Sequence, residues 1–178
     1  RAAIDSLEEG MGGKTADGSS PVKNKTALIL GAGGVAKVFA HALRRRNAHV
    51  IIASRTSSRA DSLAEQAKCK AIDWSARHGI SADILVNCTP VGMHPNVDET
   101  PFDRHHMRPS MVVFDTVYNP ESTLFVKDAR ARSCVVVTGV DMFIRQAALQ
   151  FKLFTGQDAP MGLMRETLKR ATGAARVS

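Results

Sequence analysis

Six short apolar runs punctuate the chain, and stretches of helical periodicity separate most of them. Ala27-Leu28-Ile29-Leu30, Val50-Ile51-Ile52-Ala53, Ile84-Leu85-Val86, Val112-Val113-Phe114 and Val135-Val136-Val137 are continuous rather than alternating, as in strands buried on both faces. Lys70 to Ile72 is a weaker run of the same kind. Apolar positions recur at helical spacing from about Gly34 to Arg46 and from Thr123 to Arg132. They do so again from about Ser58 to Lys68, where Ala60, Leu63, Ala64 and Ala67 form one stripe. Residues 2–10, Asp141 to about Leu153, and Ala159 to Thr172 read as three further helices, and GGKTADGSSP at 12–21 reads as a loop. Strands alternating with helical crossovers predict an α/β fold, a doubly wound and mainly parallel sheet with C-terminal helices.

Composition narrows the function classes. A length of 178 residues fits one domain, and 44% hydrophobic with 23% charged residues is ordinary for a soluble protein. No apolar run approaches the ~18 residues of a membrane span, so no membrane association is expected. Cys69, Cys88 and Cys134 are odd in number and widely spaced, which favours a reducing, cytoplasmic setting. The net charge of +7 attracts anions without saying which. With one Trp, one Tyr, no finger spacing and cations spread along helices, nucleic acid is not expected as a partner. His94, His105 and His106 lack Cys or carboxylate neighbours at ligand spacing, so no metal is expected.

The chemistry concentrates after the first strand. Gly31-Ala32-Gly33-Gly34-Val35-Ala36 follows Leu30 directly and opens a helix, the context a dinucleotide-binding loop requires. Gly31 is read as the tight turn, Gly33 as the place where backbone meets a pyrophosphate, and Gly34 to Ala36 as helix-start amides. Ala36, in place of a last glycine, still allows close helix-strand packing. The second strand ends on Ser54-Arg55-Thr56-Ser57-Ser58-Arg59, with no carboxylate for a ribose 2′-hydroxyl. Two guanidinium groups and several hydroxyls there suit a dianionic 2′-phosphate, so NADP is favoured over NAD. The same serines and threonine are expected to cap the next helix.

These motifs, followed in order by NCTPVGM at 87–93, DTVYNP at 115–120 and GVDMFIRQ at 139–146, resemble the shikimate dehydrogenases. The likeness covers roughly residues 23 to 170. PNVDETP at 95–101 and the stretch from Phe151 to Pro160 resemble the dehydrogenase half of bifunctional dehydroquinate dehydratase/shikimate dehydrogenases. The resemblance implies an NADP-dependent oxidoreductase interconverting 3-dehydroshikimate and shikimate in aromatic amino acid biosynthesis. It implies that Ser54 (Asn in most of the family), Arg55, Thr56 and Arg59 hold the 2′-phosphate. Thr89, Met93, Thr116, Gly139 and Met142 would surround the nicotinamide and its ribose, and Tyr118 and Gln146 would face the substrate.

In the family, proton transfer is assigned to a Lys and an Asp of an N-terminal substrate domain that this chain is expected to lack. Residues 1–22 then read as a return helix and linker, and residues 23–178 as the NADP-binding domain. Lys14 and Asp17 lie in the loop and are not taken as that pair. Low turnover of shikimate by the chain alone is the expectation. Two alternatives stand beside this reading: a non-catalytic NADP-binding or regulatory module, and a cofactor domain of another dehydrogenase family, against which Gly139 to Gln146 speaks. An exposed apolar surface on the cleft side is expected in either case.

Overall fold

The computed structural model describes residues 2–174. Six strands form one parallel sheet: β1 (Thr26–Leu30), β2 (His49–Ser54), β3 (Lys70–Asp73), β4 (Ile84–Asn87), β5 (Val112–Asp115) and β6 (Val135–Val137). Their order across the sheet is β3-β2-β1-β4-β5-β6, so the winding reverses between β1 and β4. Helices α1 (Ala2–Gly10), α2 (Gly34–Arg45), α3 (Ser57–Ala67), α4 (Leu124–Ala131), α5 (Gly139–Thr155) and α6 (Met161–Ala174) complete it.

The continuous apolar runs have the meaning expected of them, because alternate residues of each strand enter different cores. Ala27, Ile29, Val50, Ile52, Ile84, Val86 and Phe114 pack beneath α1, α2 and α3, around Phe39, Leu43 and the predicted α3 stripe. Phe39 meets Phe114 edge to face, with ring centres 5.0 Å apart, a favourable aromatic geometry. Leu28, Leu30, Leu85 and Val113 enter the other core, with Phe102, Met107 and Phe125. Helix α1 belongs to the first core: Ile4 and Leu7 are buried there beside Val22.

Three local details differ from the sequence reading. Helix α5 starts at Gly139 instead of Asp141, because Thr138 and Asp141 form a reciprocal cap that encloses Gly139 and Val140 in the first turn. Thr56 is the cap residue of α3, yet its hydroxyl makes no cap bond; the Ser54 hydroxyl instead accepts from the Thr56 amide at 3.3 Å. The connections after β3 and β4 contain short 3-10 turns, Trp74–Gly79 and Arg104–His106. Between these, His106 stacks on His78 with ring centres 4.6 Å apart, and His105 pairs with Asp103, which accounts for two of the three noted histidines.

Candidate functional site

In a parallel sheet all carboxyl ends point the same way, so the five loops of interest share one edge. The register sets Leu30 beside Ala53 and Asn87, and Asn87 beside Asp115. The point where strand order reverses is where open α/β sheets accept ligands. Gly31 turns the chain there with φ of +105°, and a Cβ on it would lie 3.0 Å from the Cys88 carbonyl oxygen. That glycine is required by the fold.

Gly33 and Gly34 are different. A Cβ on either would meet no atom of the protein within 4 Å, and neither has a left-handed backbone. Nothing in the chain itself demands glycine at these positions. The need arises in front of the loop, where a ligand would approach the backbone amides at the start of α2. Ala32, Gly33 and Gly34 open onto a cavity of about 380 Å³ whose far wall is α3, with Ser58 and Arg59 on it. Arg55 and Arg59 are exposed, and their side chains form no ion pair or hydrogen bond among the described residues. The uncommitted Arg59 guanidinium therefore belongs to the wall of an open glycine cradle, and Arg55 is exposed just after the end of β2.

A second cavity, of about 350 Å³, lies on the other side of α2 and brings Val35, Met142 and Gln146 together with Ala3, Val38 and Leu149. Tyr118 is placed separately, exposed and stacked on Phe143 of α5 with ring centres 5.1 Å apart. Thr116 and Gly139 are in direct register: a Cβ on Gly139 would lie 2.7 Å from the Thr116 carbonyl oxygen and 2.5 Å from that of Val117. Thr89 reaches Gly31 with its methyl group, while Met93 is exposed in the following loop.

A buried polar network, not anticipated as part of the site, holds these loops. The Asp115 carboxylate is fully buried and accepts from the Thr123 hydroxyl at 2.6 Å, the Asn87 amide at 3.0 Å and the Val117 amide at 3.1 Å. The Asn87 side-chain oxygen accepts from the Thr89 amide and hydroxyl, and the Thr123 hydroxyl caps α4 through Val126. Burial raises the Asp115 carboxyl above its usual range, with the three donors opposing. Next to this loop, the Asn119 side-chain oxygen is enclosed without a hydrogen-bond partner among the described residues.

Arg165 of α6 pairs with Asp141 in the first turn of α5 and lies 3.9 Å from Glu121 in the loop after Tyr118. Burial would raise the Asp141 carboxyl, but the bonds from Arg165 and Thr138 outweigh it and lower it on balance. A lowered folded value stabilises above the ordinary carboxylate range, and that contribution is lost as pH falls through the folded value. Asp141→Asn should therefore unfold at lower urea than the unaltered chain at pH 7. The gap should close as pH falls below the ordinary carboxyl range and through the lowered value of Asp141; a gap independent of pH would contradict the pairing.

Two family models match the chain. One, described as "Shikimate / quinate 5-dehydrogenase", covers residues 14–116, and another, "Shikimate 5'-dehydrogenase C-terminal domain", covers residues 139–169. The chain belongs to the shikimate/quinate dehydrogenase family. Its motif-bearing loops all fall within these matches, except the stretch after Thr116 that holds Tyr118. Among the family's enzymes, the shikimate dehydrogenase (NADP(+)) of Moorella thermoacetica is 39% identical over 161 residues, 84% of this chain and 55% of that protein. The chloroplastic bifunctional 3-dehydroquinate dehydratase/shikimate dehydrogenase of Arabidopsis thaliana is 40% identical over 148 residues, 82% of this chain and 24% of that protein. The shikimate 5-dehydrogenase of Thermus thermophilus, solved with NADP(H) and shikimate, superposes with a TM-score of 0.77 at 34% identity, covering 96% of this chain and 62% of that one. The chain thus spans about half the length of the single-function family member. No helix among the described residues is long and apolar enough to cross a membrane.

Proposed function

We propose that the chain is the NADP(H)-binding part of a shikimate dehydrogenase, interconverting 3-dehydroshikimate and shikimate in aromatic amino acid biosynthesis. The observation that carries this is the Arg59 side chain, unpaired among the described residues, on the wall of a glycine cradle whose Gly33 and Gly34 the fold itself does not require, with Arg55 exposed just after β2. Bound at this edge, the nicotinamide cofactor supplies the hydride that reduces the substrate carbonyl. Residues 31–36 present amides to the diphosphate, and Ser54, Arg55, Thr56 and Arg59 take the 2′-phosphate. Thr89, Met93, Thr116, Gly139 and Met142 orient the nicotinamide and its ribose. Tyr118 and Gln146 hydrogen-bond the polyhydroxylated substrate without adding a fixed charge.

Carbonyl reduction also needs a proton for the developing alkoxide. Asp115, the carboxylate at the end of β5, is turned into the Asn87 and Thr123 network and is not free for that task. The proton then comes from a Lys and an Asp of a substrate domain outside these residues, to which α1 returns. The cofactor-binding unit, read from the sequence as residues 23–178, takes α1 into its core through Ile4 and Leu7, and residues 175–178 lie outside the described residues. A reducing, cytoplasmic setting suits the three free cysteines.

A non-catalytic module that binds NADP and a partner is the second reading. It is favoured by the apolar groups left exposed near the end of α5, Leu153 at 80% and Phe154 at 84%.

Calorimetric titration with NADPH and NADH tests the proposal. NADPH should bind about 100-fold or more tightly than NADH, the worth of two charge-assisted phosphate contacts, and the chain alone should turn over shikimate poorly. Equal affinity for the two nucleotides would remove the 2′-phosphate assignment, and robust turnover would place the proton donor within this chain.

A further inference from the structure

We propose that Lys37 is a third cation for the phosphomonoester of the dinucleotide, held ready by Gln66 across the cavity between α2 and α3. This rests on the NADP reading above and adds a residue to the same site. Lys37 is the fourth residue of α2, and its amide bonds the Gly33 carbonyl at 3.0 Å. Helical side chains lean toward the helix start, so its four-carbon stem runs back alongside the glycine loop. Its Nζ donates to Gln66 Oε1 at 2.9 Å, and the Gln66 amide donates in turn to the Ser62 hydroxyl at 3.1 Å. Lys37, Ser62 and Gln66 line the same 380 Å³ cavity as Gly33 and Arg59.

The partner's chemistry decides the reading. Gln66 is neutral, so the ammonium keeps its whole charge and two further donors, and exchanging an amide oxygen for a dianion strengthens its bond. Arg44 of α2 bonds the Ala48 carbonyl, Arg46 just past its end pairs with Glu8, and Arg45 lies in the last turn, away from the glycine loop. Lys37 and Arg59 instead face one cavity from opposite helices, and neither has a carboxylate partner among the described residues. The amides at the start of α2 meet a diphosphate at the loop. The wall made by Ser58, Arg59 and Ser62 lies on the side of β2, where the ribose and its 2′-substituent belong. The phosphomonoester is therefore the group that Lys37 meets.

The test is calorimetry of the unaltered chain, Lys37→Gln, Lys37→Arg and Gln66→Ala with 2′,5′-ADP and with ADP, at low and moderate salt. Lys37→Gln should weaken 2′,5′-ADP about tenfold, flatten its salt dependence, and change ADP by less than about twofold. Lys37→Arg should restore most of the loss, and Gln66→Ala should bind 2′,5′-ADP at least as tightly as the unaltered chain. Undiminished 2′,5′-ADP binding by Lys37→Gln would make Lys37 a solvated surface residue and overturn the proposal. An equal loss for both ligands would also overturn it, since Lys37 would then act on the 5′-phosphate that the two ligands share or on the fold. If the unaltered chain bound neither ligand, the NADP reading itself would fall and this one with it, a pattern distinct from any selective loss.

Discussion

Asp115→Ala is expected to destabilise the chain by about 3 to 5 kcal/mol, because it strands buried donors in addition to leaving a cavity. The Thr123 hydroxyl, the Asn87 amide and the Val117 amide all lose their acceptor at once. Thr123 also caps α4, and Asn87 also fixes Thr89, so the damage spreads to two loops of the site. Urea unfolding at pH 7 measures the loss, and a change below about 1 kcal/mol would mean that the network is not a stabilising unit. Asp115→Asn should cost less, since an amide oxygen can still accept while no buried charge is required. The comparison with Asn has a defined pH dependence. Burial raises the folded carboxyl above its unfolded value, so between the two values the native state binds more protons than the unfolded state. Stability of the unaltered chain relative to Asp115→Asn should rise as pH falls through that interval, and level off below the ordinary carboxyl range. A trend of the opposite sign would show that the ionised form is the one the site favours.

The joint replacement of Arg55 and Arg59 by alanine is expected to weaken NADPH by roughly 100-fold while leaving NADH within about twofold. Both guanidiniums are exposed and unpaired in the fold, so their removal breaks no contact that stabilises it. The melting temperature should therefore stay within a degree or two. The variant separates recognition of the 2′-phosphate from everything else the loop does. Parallel weakening of NADPH and NADH would place the arginines on the diphosphate, and no weakening of either would leave them as solvated charges.

Much of this was legible in the sequence for a physical reason. Strands buried on both faces must be apolar throughout, and a strand that ends in glycine before a helix has few structural meanings. The α3 stripe of Ala60, Leu63, Ala64 and Ala67 is buried as its spacing predicts. What escaped were contacts between residues far apart in the chain. Asn87 and Asp115 are 28 positions apart, and Lys37 and Gln66 are 29 apart; each pair meets because the sheet or helix layer brings it together. The start of α5 escaped for another reason. Gly139 reads as a helix breaker, yet it is there because any Cβ would strike the Thr116 and Val117 carbonyls, and a helix's first turn tolerates glycine better than its interior. The missing hydroxyl cap on α3 shows the converse limit, since residue type makes a cap possible without fixing which way the hydroxyl turns.

The burial of α1 bears on how an enzyme of this kind can be taken apart. Ile4 and Leu7 share a core with β1 and α2, and Glu8 is tied to Arg46. A cut just before β1 would remove Ile4, Leu7 and Val22 from that core, aliphatic side chains each worth about 1.5 to 3 kcal/mol when buried, and bare the surface they cover. It would also free a cation on α2. Anyone transplanting this nucleotide module onto another catalytic partner should place the seam upstream of Ala2 and carry the leading helix along as part of the graft.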